Sequence, residues 1–173
     1  MKTQVIEAEE KIDELSAVLD RDIEHLETSL SQLDRMRELV VRRDDTGLGA
    51  LLETVRNQAE SFSQNESRRQ LLRAELAQIL GEPVEQITLT WLERMLAGHK
   101  RTQFAEKKQR LRSLTARVKK EHLSTRLLLA DCARFNKMLL EKIFELCGKG
   151  AVTYSPGGSV NKEDAATFVN VKF

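Results

Sequence analysis

Residues 101–147 read RTQFAEKKQRLRSLTARVKKEHLSTRLLLADCARFNKMLLEKIFELC, with no proline and no glycine before Gly148. The run predicts one amphipathic helix from Arg101 to Cys147. A seven-residue step places Phe104, Leu111, Val118, Thr125, Cys132, Leu139 and Leu146 in one row, and Leu114, Leu128 and Phe135 fall in a second. Two rows three or four residues apart form the narrow seam by which long helices pack. Such a helix is roughly 70 Å long at its rise per residue. Globular helices average about 11–12 residues, so this one requires long neighbours.

The N-terminal region supplies one. From Thr3 to about Arg43, Val5, Ile12, Leu19, Leu26, Leu33 and Val40 keep a strict heptad. Ala8, Leu15, Ile23, Leu30 and Met36 fill the flanking row, and Thr3 is the expected N-cap. Asp44-Asp45-Thr46-Gly47 interrupts the pattern and offers oxygens that can cap a second helix. That helix carries Leu48, Leu51, Leu52, Val55, Ala59, Phe62, Leu72, Leu76, Ile79 and Leu80, and it ends where Gly81 fits a left-handed cap before Pro83. Its polar middle, Ser61–Ser67, predicts a kink or fraying without a full break. The short 43–47 link predicts an antiparallel hairpin. In the connector, Thr90-Trp91-Leu92-Glu93 has the form of a capping box opening a helix from Trp91 to Ala97 that ends at Gly98. Trp91, Leu92 and Met95 are expected to close the end of the bundle. The fold class read from these patterns is all-α: an elongated antiparallel bundle of three long helices plus a short connector helix. Residues 1–147 form the helical domain. Residues 148–173 form a glycine- and serine-rich tail expected to be flexible, although Phe168–Phe173 alternates like a strand.

Composition fits that class. Charged residues make up 32% and aromatic residues 5%, which suits leucine seams better than a sheet. The net charge is +1, with no bulk bias toward polyanions. Locally it is uneven: residues 1–60 hold fifteen acidic and eight basic side chains, residues 100–126 two acidic and ten basic. The two faces are expected to complement each other. Cys132 and Cys147 lie roughly 20 Å apart on one helix, too far for a mutual disulfide, and a reduced, cytoplasmic setting is expected. The acidic N-terminus has no apolar signal core, and no apolar run reaches the about 18 residues of a membrane span.

Catalytic signatures are missing from the sequence. His25, His99 and His122 stand on separate elements without metal-ligand spacing. There is no nucleophile elbow or phosphate loop, and the run Ser155–Ser159 lacks the lysine and helix that such a loop needs. No enzyme activity, cofactor or metal is predicted. The basic run from Lys107 to Lys120 lacks interleaved aromatics, so nucleic acid is not the expected partner.

What remains is an apolar surplus. Leu127, Leu128, Leu129, Cys132, Phe135, Met138, Leu139, Leu140, Ile143 and Phe144 occupy more than one face. Either the bundle surrounds this stretch or some of these side chains await a partner. The inner row is expected to be core, and the outer row (Leu129, Asn136, Leu140 and Phe144) to be interface, rimmed by Lys137, Glu141 and Lys142.

The run Asn136-Lys-Met-Leu139-Leu140-Glu-Lys-Ile143, followed by Thr153-Tyr154-Ser-Pro-Gly157-Gly158, resembles the end of the FlgN-type flagellar export chaperones. The layout of a long acidic helix, second helix, connector and basic long helix is similar across nearly the whole chain; the ending past Asn161 matches nothing in that pattern. The resemblance implies a cytoplasmic chaperone of the flagellar type III export system whose clients are hook-associated (hook–filament junction) proteins, held by their C-terminal helical segments. It implies client contacts at Leu128, Phe135, Asn136, Leu139, Leu140, Ile143 and Phe144, to which the apolar surplus adds Leu129. Tyr154 matches the tail tyrosine implicated in docking on the export gate, in a Thr-Tyr-Ser-Pro setting rather than Tyr-Gly; the export ATPase complex is a further candidate partner. No membrane insertion is implied. The alternative is a structural or adaptor coiled coil that homodimerises through the same stripe.

Overall fold

The computed structural model describes the backbone of residues 2–148, 153–154 and 160–161, and the side-chain surroundings of residues 6–145. The elements are α1 (Lys2–Arg42), α2 (Asp45–Leu80), α3 (Leu89–Met95), α4 (Gly98–Gly148), β1 (Thr153–Tyr154) and β2 (Val160–Asn161). The class is all-α, as the heptads predict. Within the glycine-rich run, β1 and β2 form a minimal antiparallel ladder, Thr153 opposite Asn161 and Tyr154 opposite Val160. The flexibility expected of the tail, the side chains of Leu146, Cys147 and Tyr154, and the alternating 168–173 segment lie outside the described residues. The chain divides into two units, Met1–Arg126 and Leu127–Phe173.

Within the first unit, α1 begins before Thr3, so Thr3 lies inside the helix and is not its cap. At its other end the turn to α2 takes only Arg43 and Asp44, shorter than the link the sequence suggests. Arg43 adopts a left-handed φ of 57°. Its N–H donates to the Val40 carbonyl at 3.2 Å, and the Asp44 N–H donates to the Leu39 carbonyl at 3.0 Å. These two bonds satisfy carbonyls that α1 would otherwise leave open, in the Schellman pattern. Asp44 then serves the next helix: its Oδ1 accepts from the Gly47 N–H at 2.8 Å, and its carbonyl accepts from Leu48 N–H at 2.9 Å. Gly47 therefore sits within the first turn of α2.

α1 and α2 are antiparallel, and their cross-links record the register. Moving away from the turn, Gln32 meets Gln58 at 2.5 Å, Asp22 meets Asn65 at 2.7 Å, Glu14 meets Arg68, and Lys11 meets Glu75 at 3.0 Å. The polar middle of α2 does not interrupt the helix. Asn65 is 5% exposed and donates to the Val18 carbonyl at 3.2 Å as well as to Asp22, while Arg69 Nη1 reaches the other oxygen of Asp22 at 2.6 Å. Side chains that look like helix breakers are in fact the pairing groups of the hairpin.

The main core gathers Ile12, Leu15, Val18 and Leu19 of α1, Leu72, Leu76 and Ala77 of α2, Ile87, Leu92 and Phe104. α3 enters through Leu92. Its N-cap is Thr88, whose hydroxyl accepts from the Trp91 N–H at 3.2 Å, and not Thr90. Glu93, the other half of the expected box, pairs with Lys108 instead; a charged partner outcompetes a neutral backbone amide. Leu92 is buried and Trp91 packs half-buried against the core, but Met95 is exposed and does not help to close it. Gly98, expected to end this helix, opens α4 with φ 57°.

The part of α4 within this unit runs parallel to α1. Lys107 Nζ binds the Ser16 carbonyl (2.9 Å), Ser16 Oγ (2.6 Å) and Asp20 (2.7 Å). Arg110 meets Glu27 at 2.5 Å and Lys100 meets Asp13 at 2.7 Å. Arg37 donates to Glu121 at 2.5 Å, beside the buried Thr125. The sequence separation between hydrogen-bonded partners stays between 83 and 91, the mark of a parallel pair in steady register. The basic stretch thus meets acidic α1, as the uneven charge predicts.

Candidate partner-binding surface

The seam of α4 changes character along its length. Phe104 and Leu114 are buried, Leu111 and Val118 half-buried, and Thr125 buried. In the second unit, Leu128 and Cys132 are half-buried, and from Phe135 to Glu145 every residue is exposed. Leu139 is 40% exposed and Phe144 66% exposed. The expectation that an inner row here is core therefore fails for Phe135 and Leu139. The physical reason is that a seam row is buried only where another helix covers it.

At 3.6 residues per turn each residue advances by about 100°. Between Leu127 and Glu145 this divides the residues in two. One half of the circumference carries Leu128, Leu129, Cys132, Ala133, Phe135, Asn136, Leu139, Leu140, Ile143 and Phe144, with no charge among them. The other half carries all six charges: Asp131, Arg134, Lys137, Glu141, Lys142 and Glu145. These pair along the helix, Arg134 with Asp131 at 3.4 Å, Lys137 with Glu141 at 3.9 Å and Lys142 with Glu145 at 2.7 Å. Leu127 and Met138 are exposed among them. All eight contact positions expected from the sequence fall on the uncharged half, and seven of them are exposed; Leu128 is half-buried. Sequence periodicity marks these residues as apolar surplus; laying the charges on the same wheel would also have shown the two-sided division. The side chain of Tyr154 lies outside the described residues, although its backbone is in β1.

No group of His, Cys, Asp and Glu among the described residues is arranged to hold a metal ion. His25 packs against Phe62 with the rings tilted by 57° and their centroids 4.4 Å apart, and His99 shares a 3.0 Å hydrogen bond with Gln103. Among the described residues no helix is long and apolar enough to cross a membrane.

Among the described residues, α4 thus presents an uncharged, largely apolar half to solvent over residues 127–145. A family model described as FlgN protein matches residues 1–162, and the chain belongs to that family, one of flagellar export chaperones and not of enzymes. The match leaves out residues 163–173, close to where the resemblance stops in the sequence. Comparisons with curated proteins and with solved structures each give no match.

Proposed function

We propose that this protein is a cytoplasmic type III export chaperone that binds the C-terminal helical segments of hook-associated flagellar proteins and delivers them to the export gate. The client lies on Leu128, Leu129, Phe135, Asn136, Leu139, Leu140, Ile143 and Phe144. The tail from Gly148 is a second contact arm, with Tyr154 as its gate-docking residue and the export ATPase complex as a further contact. One observation carries the reading: a helical half-surface without a single charge stands exposed in the second unit. A protein that uses no nucleotide must hold a client by such buried apolar area and release it by competition.

The test is calorimetric titration of the full chain with the C-terminal helical fragment of a hook-associated protein. One-to-one binding is expected. Because Leu139 is exposed in the free protein, Leu139→Glu should leave the melting temperature within about 2 °C. It should weaken binding at least about tenfold, since burying a leucine contributes about 1.5–3 kcal/mol and a buried carboxylate adds a penalty. Unchanged client affinity in Leu139→Glu would sink the assignment. A homodimer that Leu139→Glu breaks and client leaves intact would favour the coiled-coil alternative.

A further inference from the structure

The uncharged half of α4 contains one polar side chain, Asn136. It stands at the centre of that half in both directions. Around the helix, the arc runs from Phe135 on one edge to Phe144 on the other, and Asn136 falls within about 10° of its midpoint. Along the helix, it lies eight positions after Leu128 and eight before Phe144. Its surface neighbours at three and four residues are Cys132, Ala133, Leu139 and Leu140. Asn136 is exposed, and among the described residues its side chain makes no hydrogen bond. A polar group at the rim of an apolar face stays wet when the face is covered. A polar group at the centre does not: the covering partner must satisfy it or leave it buried and unpaired.

We propose that Asn136 is the specificity-determining residue of this surface: it selects, and sets the register of, a client helix that carries a carboxamide, Asn or Gln, at the middle of its own apolar face. This inference rests on the reading that a client helix docks on 127–145. The chemistry favours an amide on the partner. Asn136 offers a carbonyl acceptor and an NH2 with two donor hydrogens; a second carboxamide answers both with a parallel pair of bonds from two separate atoms, whereas a hydroxyl must serve both from one oxygen and an apolar side chain answers neither. A charged partner would sit uncompensated between leucines, since the charges of α4 are confined to the opposite half. A single buried asparagine fixes register in paired helices in the same way, by making every slipped alignment bury an unpaired amide. Leucine rows alone do not provide this, because a Leu/Ile face slides by a turn with little loss. The central placement also makes the requirement independent of client direction, because a central amide meets Asn136 in parallel and antiparallel docking alike.

Two designed helical peptides of about 21 residues test the proposal. They share a Leu/Ile face and differ only at its central position, Asn in one and Leu in the other. Each is titrated by fluorescence anisotropy into the wild-type full chain, into Asn136→Leu and into Leu139→Glu. The wild type should prefer the Asn peptide by about tenfold or more, the scale of one buried amide left unpaired. Asn136→Leu should reverse that preference, and Leu139→Glu should weaken both peptides. The same preference in wild type and Asn136→Leu, with both peptides bound, would overturn the role of Asn136 and leave the client-helix reading standing. Failure of both peptides to bind the wild type would remove that reading and this inference together. Circular dichroism of Asn136→Leu should match the wild type, because the residue is exposed.

Discussion

At the scale of single residues, the turn between α1 and α2 depends on two side chains with opposite effects. Arg43 occupies a left-handed conformation that costs a residue with a Cβ about 1 kcal/mol or more. Asp44 supplies the capping oxygen for α2, an interaction that contributes about 1 kcal/mol. Arg43→Gly should therefore raise stability by up to about 1 kcal/mol, while Asp44→Ala should lower it by about the same amount; urea denaturation followed at 222 nm reads both. A null result for Arg43→Gly would mean that the arginine side chain contributes elsewhere. The capping role of the 44–47 run is legible in the sequence. The cost at Arg43 is not, because left-handed termini announce themselves in sequence mainly through glycine, as at Gly81, whose φ is 70°.

Among the elements, the long helices are the most legible, because heptads repeated five or six times leave no competing period. The connector was harder. Thr88 and Thr90 both precede the apolar residues of α3, and the capping-box pattern selects Thr90 through Glu93. The fold decides otherwise, because Lys108 draws Glu93 into an ion pair across 15 residues. Thr88→Ala should thus lower the melting temperature by several degrees, the effect of losing a cap of about 1 kcal/mol, and Thr90→Ala should change it little. Equal losses for both would restore the box. The polar middle of α2 stays within one helix, as its sequence predicts, for a related reason: Asn65 weakens a helix in isolation, but here it bonds the Val18 carbonyl and Asp22 of the neighbouring helix. At the candidate surface, the residues were legible and their exposure was not, since a seam residue looks the same in sequence whether or not another helix covers it.

For the whole molecule, charge complementarity sets a pH window. Hydrogen bonding from Lys11 holds Glu14 below the ordinary glutamate range, and hydrogen bonding from Lys108 does the same for Glu93. Groups with depressed values stabilise the fold fully above their unfolded pKa and lose that contribution as pH falls through the folded value. Lys11 is shifted the other way, upward, chiefly by Glu75, so its contribution is complete below the unfolded lysine value and lost only in strong alkali. Thermal stability should therefore be flat through neutrality and decline as pH falls below about 4.5, and added salt should shrink that decline. Melting curves taken from neutral to acid at two ionic strengths check this; a maximum on the acid side would contradict it.

Trp91 is the one tryptophan in the chain, and it packs half-buried against the core formed by α1, α2, Ile87, Leu92 and Phe104. The protein therefore carries its own optical probe of the first unit. A client that docks on residues 127–145 and leaves that core intact will leave the emission maximum in place. One that pries the helices apart will shift it to the red. Excitation at 295 nm of the unlabelled chain, with a tryptophan-free client, thus separates a chaperone that displays a ready-made surface from one that must open to make it.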